Sequence, residues 1–427
     1  MKVYFIGIGG IGISSLAQYY ISKGDQVFGS DLVKTEITDL LVDKGVKVTI
    51  GETGEYITED LDLIIYTPAV ADNNPELLKA KSFNIKCMSY PEALGLLTKD
   101  HFTIAVSGSH GKSTTTAMVA KILIEAKLDP TVIIGTKLKE FNDTNFRKGE
   151  SQYLVIEADE YKASFLNYNP DIIIYTNIEA EHLDFYGNIE NILEIAHKYI
   201  NNLKENGILI YNFDDKNLLK VTEDIEQRKI PFGLDNTYNL ENILQVPGDH
   251  FVSDALGALM VARQLGIKDE ISFKALSEYK GAWRRFEVKE LDKFTLVSDY
   301  AHHPTEIRAT LTASRKKWPD KEIIVVYQPH QYQRTYHLFN DLVDVFKKAD
   351  VNKVVLVPIY DVAGRETREL KEQVSSEKLQ QEINKDNVIY LDSLDLAKEY
   401  LDENIKGGEI VFIMGAGDIY DLTKRLK

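Results

Sequence analysis

The sequence predicts an α/β protein of three domains in series, and three observations carry that expectation. The chain has 427 residues, more than one hydrophobic core usually serves. Short apolar runs rich in β-branched residues recur along its length, separated by helix-like stretches, which is the rhythm of parallel strands with crossover helices. Two of these runs end in glycine-rich turns that open onto helices, at residues 7–12 and 108–111.

The first block, residues 1–98, has strand patterns at 3–6, 26–29, 46–50 and 61–66 and a helix pattern at 14–23. Gly7-Ile8-Gly9-Gly10-Ile11-Gly12 follows the first strand and Asp31 closes the second, so the block reads as Rossmann-like. Such a turn offers close backbone approach to a pyrophosphate, and the acid holds a hydroxyl. NAD and a UDP-sugar both meet those terms.

The second block, residues 99–282, reads as a P-loop ATPase-like parallel sheet with strands at 103–106, 153–156, 172–175 and 208–211. Between the first of these and a helix running to residue 126 stands Gly108-Ser109-His110-Gly111-Lys112-Ser113-Thr114. A strand, a glycine turn and a helix start together aim backbone N–H groups and the helix dipole at one point, which suits a phosphate. Lys112 adds a mobile cation, and Ser113 occupies the position whose hydroxyl reaches Mg2+ in such loops. ATP is therefore the expected ligand, although the loop is shorter than the full G-x-x-x-x-G-K-[ST] pattern because position 106 is Val.

Carboxylates and histidines collect at strand ends, where open α/β folds bind ligands. Glu157-Ala158-Asp159-Glu160 closes the strand at 153–156, with Glu157 as the magnesium candidate, and His182 follows the strand at 172–175. The third block, residues 283–427, is Rossmann-like again, with strands at 294–298, 323–327, 354–357, 388–391 and 410–414. Of Arg284 and Arg285 at its start, one is expected to act on a transferring phosphoryl group and the other to be structural. Asp299-Tyr300-Ala301-His302-His303 ends its first strand; adjacent residues project oppositely, so the two histidines do not share a metal. Polar segments at 235–241 and 366–377 read as loops or surface helix starts.

Composition excludes several classes. With 66 acidic and 50 basic residues the net charge is −16, which disfavours nucleic acid. The single cysteine, Cys87, makes no internal disulfide and no thiolate cluster. The apolar N-terminal run is studded with glycines and lacks a clear cleavage site, and no stretch has transmembrane length. The expectation is a cytoplasmic protein without membrane or nucleic-acid partners, monomeric or weakly homodimeric.

Taken together, the motifs resemble those of the Mur ligases, ATP-dependent amino-acid ligases of peptidoglycan synthesis. The likeness runs through Gly7 to Gly12 with Gly29-Ser30-Asp31, Gly108 to Thr116, Glu157 to Glu160 and Asn177 to Asp184. It continues in Pro247-Gly248-Asp249-His250, Arg284-Arg285-Phe286, Asp299 to Glu306, Gln328-Pro329-His330 and Gly415-Ala416-Gly417-Asp418. The resemblance implies three small-molecule substrates, namely UDP-N-acetylmuramate, ATP and an amino acid, with L-alanine expected, joined through an acyl phosphate. It implies that Gly9, Gly10, Gly12, Ser30 and Asp31, with Thr67, Pro68 and Ala69, hold the UDP group. Lys112 would neutralise the γ-phosphate, Ser113 and Glu157 would bind one Mg2+, and His182 a second. Asp299 would hold the nucleotide from the C-terminal domain, with Arg285 and His302 close to the reacting groups.

Three departures stand out. The acceptor segment Pro329-His330-Gln331-Tyr332-Gln333-Arg334 keeps only Arg334 of two usual arginines, and Phe251 replaces the asparagine that usually follows the histidine of Pro-Gly-x-His. Lys198 is a possible counterpart of a carbamylated lysine in some relatives, but its spacing is off and it reads as a surface residue. A recycling ligase that attaches a whole peptide, an NAD(P)-dependent oxidoreductase and a non-catalytic nucleotide binder are the alternatives.

Overall fold

Strands made of Val, Ile and Leu without polar interruption are apolar on both faces, so they pair in parallel beneath helices rather than along a wet face. The computed structural model describes residues 1–361 and 368–426 and builds three such sheets. The first is all parallel, in the spatial order Lys47–Ile50, Gln26–Asp31, Lys2–Ile6, Leu63–Tyr66, Cys87–Ser89. The second runs Arg228–Phe232, Ile208–Asn212, Ile172–Tyr175, Phe102–Ser107, Tyr153–Glu157, Thr131–Leu138, Thr144–Arg147, with only the last pair antiparallel. The third runs Glu287–Glu290, Thr295–Asp299, Ile410–Met414, Ile323–Tyr327, Lys353–Leu356, Val388–Tyr390, with only the first pair antiparallel.

In each of the first two sheets the strand that enters a glycine turn lies where the order of strands reverses. Lys2–Ile6 sits between Gln26–Asp31 and Leu63–Tyr66, and Phe102–Ser107 between Ile172–Tyr175 and Tyr153–Glu157. At such a point the connections depart to opposite sides and leave a crevice at the strands' carboxyl ends. Both glycine turns open there.

The chain forms two compact units, residues 1–243 with 253–279, and residues 244–252 with 280–427. The first unit holds the five-stranded and seven-stranded sheets. A buried polar seam joins them: Gln18 Nε2 donates to Asn145 Oδ1 at 2.7 Å and Asn145 Nδ2 to Ser14 Oγ at 3.0 Å. All three residues are at most 3% exposed, so each amide needs its partner. The second unit packs the six-stranded sheet against an aromatic group in which Phe286 stacks on Trp318 at 5.8 Å and meets Phe412 edge-on at 5.7 Å. Phe251 completes it, edge-on to Phe286 at 6.3 Å and buried. The phenylalanine that replaces the family's asparagine is thus a core residue of this unit.

Every strand expected from the sequence is present, with ends displaced by at most a residue or two. The strands it did not anticipate are mostly at or beside sheet edges, namely Cys87–Ser89, Thr131–Leu138, Thr144–Arg147, Arg228–Phe232 and Glu287–Glu290. An edge strand has one wet side and tolerates charge and proline, so its apolar signal is weak. Pro231 sits in such a strand. The polar segment expected at 366–377 contains the helix Arg368–Gln373, while residues 366 and 367 lie outside the described residues. Among the described residues no helix is long and apolar enough to cross a membrane.

Both tryptophans of the chain, Trp283 and Trp318, lie in the second unit, so their emission reports on that unit alone. Phe412→Ala is expected to destabilise it by about 3–5 kcal/mol, the usual cost of truncating a buried aromatic, read as a lower urea midpoint in tryptophan fluorescence.

Candidate functional site

The strand Phe102–Ser107 leads into residues 108–111, and the helix Lys112–Glu125 leads away from them. Gly111 precedes the first helical turn at φ 82°, and a Cβ there would lie 2.3 Å from Asp254 Oδ1. Only glycine fits both constraints. Thr115 donates its hydroxyl to the same Asp254 oxygen at 3.1 Å, which fixes the helix start. Ser113 and Thr114 are buried in that first turn.

A loop that turns its N–H groups toward an anion has few internal hydrogen bonds and needs a frame. The segment after Ile172–Tyr175 supplies it. Asn177 accepts the Ser109 N–H on its carbonyl at 3.0 Å and the His110 N–H on Oδ1 at 2.9 Å, and donates Nδ2 to the His110 carbonyl at 3.1 Å. Thr176 donates its hydroxyl to the same carbonyl at 2.6 Å, and the Glu179 N–H donates to Ser109 Oγ at 2.8 Å. Ser109 and His110, expected at the nucleotide, therefore use their amides to hold the loop's shape. Thr176 as part of this frame was not singled out in the sequence, because a polar residue after a strand carries no spacing signal of its own.

Lys112 folds back over its loop, donating to the Gly108 carbonyl at 2.6 Å and to both Glu160 oxygens at 3.1 and 2.9 Å. Burial works against its charge, yet Glu160, with Asp159 and Glu157 nearby, holds its pKa above the usual lysine value. Burial likewise penalises the Glu160 carboxylate, but Lys112 and His182 bring it down to about 2. His182 stands in the left-handed region at φ 55°, ahead of the short helix Leu183–Tyr186, with Nε2 3.5 Å from Glu160 Oε1 and its ring against Tyr161. Burial would lower its pKa; Glu160, Glu181 and Asp159 raise it.

Ligand atoms of Asp159, Glu160 and His182 all lie within 4.8 Å of one another. Two carboxylates and an imidazole this close suit a divalent cation. Glu157, the carboxylate chosen from the sequence, is not in this group; its Oε1 accepts the Gly135 N–H at 2.7 Å. The strand end turns Glu157 toward the neighbouring strand, whereas the residues after it swing Asp159 and Glu160 toward His182. Lys162 and Ala163 follow in consecutive left-handed conformations, at φ 51° and 55°, and Lys162 Nζ donates to the Pro68 carbonyl at 2.9 Å. Such geometry costs about 1–2 kcal/mol per residue and concentrates at functional sites.

At the first glycine turn, the Gly9 N–H donates to Asp31 Oδ2 at 2.8 Å, and a Cβ on Gly9 would lie 2.9 Å from that oxygen. The Ser30 carbonyl accepts the Gly7 and Ile8 N–H groups, while its hydroxyl points inward to Glu76. Ser30, 2% exposed, therefore shapes the turn from behind, contrary to its expected place against the ligand. Gly10 and Gly12 lie at the start of the helix Ile11–Ser22, and Thr67 packs beneath Gly7.

In the second unit Asp299 is buried and accepts the Phe286 N–H at 2.8 Å and the Ala301 N–H at 2.7 Å. Burial pushes its pKa up to about 6. With an amide on each oxygen it orders the loop that bears the arginines. Arg284 is the structural arginine, buried against Trp283, Tyr300 and Tyr420 and donating to the Gly415 and Gly417 carbonyls. Arg285 is half-buried over the Tyr300 ring. His303 caps the helix Pro304–Lys317, accepting the Thr305 N–H on Nδ1, so the two adjacent histidines do part company. His302 meets His330 edge-on at 5.9 Å, His330 stacks on Tyr360, and Arg334 Nη1 donates to His330 Nδ1 at 3.2 Å. His302 and Arg334, far apart in sequence, thus converge on His330. Lys198 is exposed beside Glu194, as a surface residue should be.

Family models match three successive stretches of the chain. The Mur ligase family catalytic domain covers residues 2–102, the Mur ligase middle domain 106–253 and the Mur ligase glutamate ligase domain 284–417. The chain is 39% identical over 444 residues to the UDP-N-acetylmuramate–L-alanine ligase of Clostridium novyi, covering 98% of this chain and 95% of that one. It is 40% identical over 447 residues to the enzyme of the same name from Clostridium tetani, covering 98% and 96%. Among solved structures, the UDP-N-acetylmuramate-alanine ligase of Thermotoga maritima superposes with a TM-score of 0.80 at 26% identity, covering 100% of this chain and 98% of that one. The fold of a murein peptide ligase from Psychrobacter arcticus follows at 0.74 and 22% identity, covering 100% and 98%. With three domain models matched in order and relatives aligned over nearly its whole length, this chain belongs to the Mur ligase family.

Proposed function

We infer that this chain is an ATP-dependent ligase that forms an amide between the carboxylate of UDP-N-acetylmuramate and the amine of L-alanine, releasing ADP and phosphate. The observation that carries this reading is the 39–40% identity, over nearly full length, to enzymes named for that reaction. A peptide-recycling ligase and an NAD(P)-dependent oxidoreductase are not favoured. The phosphate loop beside the first glycine turn's domain serves a ligase and has no use in a dehydrogenase.

A carboxylate is a poor electrophile. Its oxygen first attacks the γ-phosphorus of ATP, the bond from that phosphorus to the bridging oxygen breaks, and ADP leaves with the electron pair. The neutral amine then attacks the acyl carbon, phosphate departs, and the nitrogen gives up a proton. Lys112, at the loop's mouth, lowers the repulsion between two anions and stabilises charge on the transferring group. Its present partner Glu160 keeps it protonated and folded over the loop. Magnesium fits the acidic cluster. We assign one ion to Glu160, Asp159 and His182, with Ser113 and Glu157 flanking a second position; bound there, it would supply Lewis-acid shielding of the phosphate oxygens. Residues 1–98 would take the UDP group, residues 99–282 ATP, and the His302, His330 and Arg334 group of residues 283–427 the amino acid.

A phosphate-release assay with UDP-N-acetylmuramate, ATP and a panel of amino acids is expected to show turnover highest with L-alanine. Lys112→Ala should lower kcat by about 10²–10³-fold, the usual effect of deleting one preorganised charge donor; unchanged turnover would remove Lys112 from the mechanism. His182 should titrate above an ordinary histidine by NMR, and Glu160→Gln should move that midpoint down. The sign follows from linkage: a raised folded pKa adds stability that is fully present below the free-histidine value and is lost as pH rises through the folded one.

A further inference from the structure

Glu76, on the helix Pro75–Ser82, is a carboxylate only 1% exposed, and no part of the chemistry above uses it. Its Oε1 accepts the Tyr4 hydroxyl at 2.8 Å and the Gly54 N–H at 3.0 Å, and its Oε2 accepts the Ser30 hydroxyl. These three donors belong to three separate segments that meet beneath the first glycine turn. Tyr4 lies on Lys2–Ile6, the strand that runs into Gly7. Ser30 lies on Gln26–Asp31, next to the acid that takes the Gly9 N–H. Gly54 lies in the loop after Lys47–Ile50. The carboxylate's depth is itself fixed, because Asn74 caps its helix by accepting the Leu77 N–H at 3.0 Å and ties to Glu52 at 2.7 Å. Lys79 on the same helix donates to the Gly54 carbonyl at 2.8 Å.

A buried carboxylate is costly, and an apolar side chain would fill the same space without that cost. What the apolar residue could not do is hold Ser30. The Ser30 carbonyl carries the Gly7 and Ile8 N–H groups at 2.8 and 2.9 Å, so the rotation of that one residue sets both the turn and the placement of Asp31. We infer that Glu76 is a positioning residue for the sugar-nucleotide site, locking the glycine turn and Asp31 in the shape that receives a diphosphate. The inference rests on the assignment of residues 1–98 to the UDP group.

The test uses the full-length protein, with steady-state rates and calorimetric titration of UDP-N-acetylmuramate. Glu76→Ala is expected to raise both KM and Kd for UDP-N-acetylmuramate about tenfold, equivalent to about 1.4 kcal/mol, with kcat and the KM for ATP unchanged. Glu76→Gln should recover most of that loss, since its oxygen still accepts from Tyr4 and Gly54 and the Ser30 hydroxyl can turn to accept from its amide. If Glu76→Ala unfolds more easily yet binds UDP-N-acetylmuramate like the wild type, the residue is merely structural and the inference is overturned. Should that variant fail to fold, Ser30→Ala and Tyr4→Phe each remove one donor, and each is expected to raise the same KM about threefold; no change in either overturns the inference. Gly9→Ala tests the underlying assignment separately. If it leaves the KM for UDP-N-acetylmuramate unaltered, the assignment of the domain falls; if it raises that KM while the Glu76 variants do not, only the role of Glu76 falls.

Discussion

The contact on which the candidate site depends is the ion pair between Lys112 and Glu160, both largely shielded from water. Neither charge is stable alone at that depth, since an unpaired buried ion costs several kcal/mol, so each residue fixes the other. Glu160 in turn is the meeting point of the phosphate loop and the His182 segment. One carboxylate therefore sets the direction of the loop's cation and the protonation of the neighbouring imidazole. The framing hydrogen bonds from Asn177 and Thr176 then leave the loop little freedom except at the lysine side chain, the part proposed above to meet a triphosphate.

Much of the architecture was legible because buried parallel strands announce themselves: Ile-Ile-Ile-Tyr at 172–175 and Ile-Ile-Val-Val-Tyr at 323–327 read as strands covered on both faces. Glycine turns and the cations beside them were legible for a similar reason, since few residues satisfy the backbone geometry at Gly111. Less visible was the division of labour among chemically equivalent neighbours. Glu157 and Glu160 are three residues apart and either could bind a metal on paper; which one faces His182 depends on how the chain leaves the strand. The left-handed pair Lys162 and Ala163, whose sequence offers no glycine to mark it, is part of that exit.

Side chains that turn inward to the protein were the other blind spot. Asp299 and Ser30 occupy positions where a ligand contact is expected, yet one accepts the amides of Phe286 and Ala301 and the other donates its hydroxyl to the Glu76 carboxylate. Short polar residues at strand ends have two plausible targets, solvent or the adjoining turn, and local sequence does not distinguish them. Arg284 and Arg285 are the clearer case: consecutive residues diverge, so one must enter the aromatic interior and the other remain available.

The seam formed by Ser14, Gln18 and Asn145 has an implication for modularity. Nucleotide-binding sheets of this kind are often treated as interchangeable parts, but here the first helix of one sheet is welded to a hairpin of the next through amides buried away from the surface. A fragment ending near residue 98 would keep its own strands while stranding one half of that joint, and a transplanted neighbour would have to reproduce an asparagine at the matching depth. The first two sheets of this chain thus depend on each other as a couple, and recombination between relatives should respect that bond.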